Sequence, residues 1–140
     1  MKKTVLSVVV LGAALIVLGW RLFVPGGDDD MAHAGAALVE VSVPTLSAVA
    51  TEGKGIFDAN CAVCHGQNGA GVDGSGPPLV HIIYEPNHHA DIAFYMAAKQ
   101  GVRAHHWRFG DMQPVPGVNK SEVTKIITYI RELQRANGIN

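Results

Sequence analysis

Cys61-Ala62-Val63-Cys64-His65 is the stretch on which the reading of this chain turns. Two thiols three positions apart, at the end of a helix, can add across the two vinyl groups of a haem. The histidine that follows is then held beneath the ring, where its imidazole can ligate the iron. With two Cys and seven His in 140 residues, shuffling would produce the string about once in a thousand trials, so the match is specific. A redox dithiol of the thioredoxin kind would want a βαβ setting, and the sequence has no such pattern. A structural zinc site would need two more ligands at knuckle spacing; His81, His88 or His89 could be conscripted, but no second cysteine pair exists. The motif predicts one covalently bound haem c.

Working outward, the length fits a single domain. Eleven Lys+Arg against twelve Asp+Glu give a net charge of −1, which argues against nucleic acid as a partner, since that would demand a basic face. Two cysteines cannot form a disulfide framework. The hydrophobic fraction is 48%, yet only four Phe, two Trp and three Tyr are present. Rings usually dominate the core of a small domain, so something else is expected to help fill this one.

Much of the apolar content lies at the N-terminus. Val5 to Trp20 carry no charge, and Leu22, Phe23 and Val24 extend the run past Arg21. About 20 apolar residues match a helix that spans a bilayer, with Arg21 snorkelling at one end. Lys2 and Lys3 precede the run and Asp28, Asp29 and Asp30 follow it, placing the N-terminus in the cytoplasm and the remainder outside. A cleaved signal peptide is the alternative, and Ala32-His33-Ala34 resembles a cleavage site, though it sits far beyond the apolar run. Either way the rest of the chain is exported, to the oxidising side that suits covalent haem attachment. The expected organisation is a transmembrane anchor over 1–24, a flexible linker over 25–45 and a domain over 46–140. In a bacterium this is a single-pass inner-membrane protein with its domain in the periplasm.

Within the linker, Val39, Val41 and Val43 alternate as in a short strand. Thr45 after Pro44 is placed to cap a helix running to the cysteines, although Gly53 and Gly55 weaken that helix. A Gly-rich loop covers 66–76. A second helix is predicted from Ala90 to Gln100, ended by Gly101. Residues 102–118, with Pro114 and Pro116, read as an ordered loop. In the last helix Val123, Ile126, Ile127, Ile130 and Leu133 share one face, with Asn119 or Ser121 as the cap. The chain is all-α beyond its anchor.

Over about residues 50–137 the chain resembles the class I c-type cytochromes, small mono-haem electron carriers. Gly53, Phe57 and Cys61 stand at that family's spacing, and Gly76-Pro77-x-Leu79 matches its Gly-Pro-x-Leu segment. The resemblance implies three to five helices wrapped around one haem. It implies that the Pro77 carbonyl accepts a hydrogen bond from the second nitrogen of His65, which orients the ring and raises its basicity. It also places Ile126 and Tyr129 where the C-terminal helix packs on the N-terminal one.

The sixth iron ligand must come from the other side of the ring. Met96, Met112, His81, His88, His89, His105 and His106 are the candidates. Met96 lies mid-helix, where methionine is usually core filler. Met112 lies in Gly110-Asp111-Met112-Gln113-Pro114-Val115-Pro116, a loop that two prolines stiffen enough to hold a weak thioether ligand. The family's distal methionine has the same location, usually followed directly by proline, whereas Gln113 intervenes here. His105 and His106 are the main rivals. The pairs His88-His89 and His105-His106 suggest copper or zinc on paper, but adjacent residues seldom ligate one metal and no cysteine or acidic cluster accompanies them. Arg103, His105, His106, Trp107 and Arg108 are better read as a crevice wall donating to haem propionates.

Iron with His and Met ligands has no open position and a raised reduction potential, so the expected role is single-electron transfer without enzymatic turnover. Residues 51–140 hold eight Lys+Arg and eight Asp+Glu, so tethering rather than charge would concentrate the domain near its partners. The resemblance implies a quinol–cytochrome c reductase as donor and a terminal oxidase or reaction centre as acceptor, with the membrane as anchor. The alternatives are a haem subunit of a periplasmic dehydrogenase and a haem-based ligand sensor or peroxidase.

Overall fold

The computed structural model describes residues 35–140. The expected anchor over 1–24 lies outside them. Among the described residues no helix is long and apolar enough to cross a membrane. They hold four α-helices: α1 Ala48–Asn60, α2 Ala62–His65, α3 Asp91–Gln100 and α4 Lys120–Ala136. Single 3₁₀ turns lie at Gln67–Gly69 and Ile82–Tyr84. Extended pairing among these residues is confined to two isolated bridges, Val72 with Gly76 and Val102 with Met112.

Helix α4 organises the core. Val123, Ile126, Ile127, Ile130 and Leu133 are all buried, as their spacing predicts. Asn119 begins the helix with a capping box. Its Oδ1 accepts from the N–H groups of Ser121 and Glu122, while the Glu122 carboxylate accepts from the N–H of Asn119 at 2.8 Å. Asn119→Ala removes an acceptor for two otherwise unpaired helix donors. The expected loss is about 1 kcal/mol, a fall of roughly 4–8 °C in the midpoint of thermal unfolding, and no change in the haem absorption spectrum.

Helix α1 lies across α4 through Ala50, Gly53 and Phe57, all buried. Gly53 is where the two backbones approach most closely: a Cβ there would run into the backbone of Lys125 and Ile126. The residue that weakens α1 by propensity is therefore required by packing. Phe57 meets Tyr129 with ring centroids 5.7 Å apart, and Tyr129 is fully buried beside Ile130 and Leu133. The Tyr129 hydroxyl donates to Asn68 Oδ1 at 2.9 Å, tying the turn after His65 to α4. The cap of α1 is Ser47, not Thr45. Its hydroxyl accepts from the N–H of Ala50, and its own N–H donates to Glu132 of α4, so a contact with α4 selects the starting residue.

The flexible linker expected over 25–45 is held in place over its second half. Among the described residues the compact unit runs from Gly35 to Asn140, and so takes in residues ahead of the predicted boundary at 46. The N–H groups of Leu38 and Val39 both donate to the Ala70 carbonyl. The Asn137 side-chain amide accepts from the Ser42 N–H at 2.9 Å and donates to the Ser42 carbonyl at 2.8 Å. Val41 and Leu46 pack on the core. The alternating valines form no strand, because these partners satisfy the backbone without a neighbouring strand.

Helix α3 starts at Asp91, one residue later than expected, and ends at Gly101, whose N–H donates to the Ala97 carbonyl. None of its residues is buried. Ala93, Phe94 and Ala97 instead line a cavity that opens between α3, the end of α1 and the 102–116 loop.

Candidate functional site

That cavity has a volume of about 920 Å³, within the range of cofactor pockets, roughly 300–1,000 Å³. Cys61, Cys64, His65, Pro77 and Met112 all reach its wall. Cys61 closes α1 with its N–H on the Phe57 carbonyl, and the chain turns at once into α2, which ends at His65. The two cysteines are thus one helical turn apart and neither is in a disulfide.

Burial pushes the Cys61 thiol up to about 11, with the neighbouring Cys64 adding to the effect. Reactive redox dithiols have the opposite property, a thiol lowered toward or below neutrality. The microenvironment therefore counts against the dithiol reading, as the all-helical setting does.

His65 is buried, 8% exposed. Its Nδ1 lies 2.9 Å from the Pro77 carbonyl oxygen. A carbonyl only accepts, so Nδ1 carries the proton and Nε2 keeps the lone pair a metal needs. Burial holds the imidazole below its usual pKa and the Pro77 bond opposes that shift, so the ring is neutral and ligand-ready near pH 7. The Gly-Pro segment reaches His65 because Gly76 sits against Cys64: a Cβ on Gly76 would stand 2.5 Å from the Cys64 carbonyl oxygen.

Met112 is fixed through its backbone. Its N–H donates to the Val102 carbonyl at 2.9 Å, and its carbonyl accepts from the Val102 N–H at 3.0 Å. Asp111 accepts from the N–H of Ala104 at 2.8 Å, and the Val115 N–H donates to the Ala98 carbonyl. The loop across the cavity from His65 is thus closed on itself and pinned to α3. Of the rival ligands, Met96, His89, His105 and His106 also line the cavity, while His81 and His88 do not. Met96 is half exposed. His81 is occupied otherwise: its Nδ1 accepts from the N–H of Ile83 and its ring meets Trp107 edge-on at 5.2 Å.

Of the expected crevice wall, Arg103, His105, His106 and Trp107 line the cavity and Arg108 does not. The Trp107 indole Nε1 is buried near the Tyr84 hydroxyl but makes no hydrogen bond of good geometry. An unpaired buried donor is costly unless a ligand acceptor meets it, and a carboxylate of haem is such an acceptor. Apolar walls, two thiols on one turn, a histidine with Nε2 available and an unmatched donor together fit a haem.

Sequence reasoning missed Arg131 and Gln134, which lie beside the apolar stripe of α4 and are both buried. Arg131 donates to the carbonyls of Tyr84 and His89, to Gln134 Oε1, and to the Asp91 carboxylate at 2.9 Å. Gln134 Nε2 donates to the carbonyls of Leu79 and Tyr84. The guanidinium also lies 5.0 Å from the centre of the Phe94 ring, a cation–π contact behind the cavity wall. One buried pair thereby holds the 79–90 segment, with its Ile82–Tyr84 turn, and the start of α3 against α4. The only signal in sequence was an Arg and a Gln three apart on the edge of the stripe.

Comparison with family models matches residues 50–134 to the family described as cytochrome c. The chain belongs to the cytochrome c family. Comparison with curated proteins returns no match. Membership means covalently attached haem c and electron transfer through it. The matched residues of this cytochrome include the Cys61–His65 motif, Pro77, Met112 and most of α4.

Proposed function

We propose that the chain is a membrane-anchored single-electron carrier, its haem bonded through Cys61 and Cys64 and ligated axially by His65 and Met112. The observation that carries this reading is the bond between His65 Nδ1 and the Pro77 carbonyl, which leaves the lone pair on Nε2 of a residue that lines the same cavity as Met112. The bound group would supply one-electron chemistry, at a potential that ligation by a methionine raises. The protein's part is positional. Pro77 sets the tautomer of His65, the Val102 bridge holds Met112, and Trp107 offers its indole N–H to a propionate. The apolar run over 4–24, which Arg21 alone interrupts, supports an anchor in the inner membrane with the domain on the periplasmic side. Quinol-oxidising reductases and terminal oxidases or reaction centres are the partner classes for such a carrier.

The test is a haem-stained denaturing gel of membrane and soluble fractions. The expected result is one covalent haem band in the membrane fraction, lost completely in Cys61→Ser/Cys64→Ser. In wild-type membranes its haem is expected to be reduced by respiratory substrate and reoxidised by oxygen, without binding carbon monoxide when ferrous. A soluble band, or carbon monoxide binding at neutral pH, would overturn the reading.

A further inference from the structure

The two histidine pairs are 17 residues apart in sequence and converge in space. His88, His89 and His106 each offer a ring nitrogen, and these atoms all lie within 4.8 Å of one another. His105 joins the group, its ring centroid 4.3 Å from that of His106 and 6.1 Å from that of His89. Adjacency within each pair argued against a metal site, but the fold supplies ligands from two separate segments.

The details favour ligation over chance crowding. His88 Nε2 and His106 Nε2 are 3.4 Å apart, longer than a normal hydrogen bond. Two nitrogens each 2.0–2.1 Å from one tetrahedral ion stand about 3.4 Å apart. His89 Nδ1 is 2.6 Å from the Ile83 carbonyl and His105 Nδ1 is 2.8 Å from the Arg103 carbonyl. Both Nδ1 atoms must donate there, so both rings keep a lone pair on Nε2. A backbone carbonyl on the far nitrogen is the usual device for orienting a metal-binding imidazole. The buried Arg131 holds the His89 carbonyl at 2.6 Å, so this side of the cluster is anchored to α4.

We propose that His88, His89 and His106, with His105 as a fourth donor, bind one divalent transition-metal ion of the copper or zinc class. An all-imidazole set suits these ions, and copper should bind more tightly than zinc. His89, His105 and His106 line the haem cavity, so the ion sits on the rim of the crevice. It joins the segment before α3 to the 102–112 loop, and so braces the loop that carries Met112.

The test is calorimetric titration of the full-length, haem-loaded protein in detergent with Cu²⁺ and, separately, Zn²⁺. One equivalent of each is expected to bind, with nitrogen hyperfine structure in the Cu²⁺ electron paramagnetic resonance spectrum. His88→Gln, at a residue off the haem-cavity wall, is expected to weaken binding about 10-fold while the haem spectrum stays unchanged, and His88→Gln/His106→Gln to weaken it at least about 100-fold. If the double variant disturbs the haem spectrum, the comparison rests on His88→Gln alone. No stoichiometric binding by the wild type overturns the proposal. So does binding undiminished in the variants, which would assign the ion to other histidines such as His33.

Discussion

Met112→Ala is expected to abolish the weak absorption band of a sulfur–iron bond, admit carbon monoxide to the ferrous haem and lower the reduction potential. Exchange of an axial ligand shifts haem potentials within a span of about 0.8 V, so a fall on the order of 100 mV or more is expected. The effect should be local, because Met112 supports its loop through backbone bonds to Val102 that alanine also makes. Thermal unfolding should therefore move far less than the spectrum does. Met96→Ala is the control: Met96 lines the same cavity but is half exposed on α3, and its loss should leave band and potential in place. An unchanged spectrum in Met112→Ala would move the assignment to His105 or His106, which share the wall.

Gly53→Ala is expected to be strongly destabilising, although it replaces a helical glycine with the best helix former. Alanine ordinarily favours a helix over glycine by roughly 0.5–1 kcal/mol, so propensity alone predicts a gain. At this position the added methyl meets the backbone of Lys125 and Ile126, which cannot rotate aside as a side chain would. Overpacking costs about 1–3 kcal/mol, and a rigid neighbour puts the cost at the top of that range. The net loss of about 2 kcal/mol should lower the unfolding midpoint by roughly 10–15 °C. Gly55→Ala provides the contrast within the same helix. It is exposed with nothing near its would-be Cβ, so propensity acts unopposed and the midpoint should rise by a few degrees. Equal responses at the two positions would mean that the close crossing of α1 and α4 does not form in solution.

The readings that agree with the structure rest on local chemistry. The Cys61–His65 motif, the buried face of α4 and the cap at Asn119 each depend on residues within one or two turns of one another. The bond from His65 to Pro77 was implied by resemblance and spans 12 positions. Propensity misjudged Gly53, because the reason for that glycine is the carbonyl of a residue in another helix. Thr45 and Ser47 are equally good caps in isolation, and Glu132 decides between them. The arm over 36–43 resembles a linker in composition, and its bonds to Ala70, Asp73 and Asn137 and the packing of Val41 make it part of the domain.

The four clustered histidines show the same division most plainly. As sequence they are two adjacent pairs with no ligand spacing between them; His88 and His89 read as the turn that opens the middle helix, and His105 and His106 as part of a crevice wall. The buried Arg131 draws the 84–89 segment onto α4, the Val102–Met112 bridge folds the 102–112 loop back on itself, and the pairs meet. By itself the sequence determined the cofactor, the helical class and the helix faces, because covalent motifs and periodicity act over a few residues. Tertiary structure alone decided the domain boundary, the need for Gly53 and the histidine cluster, because each depends on side chains and carbonyls brought together from distant parts of the chain.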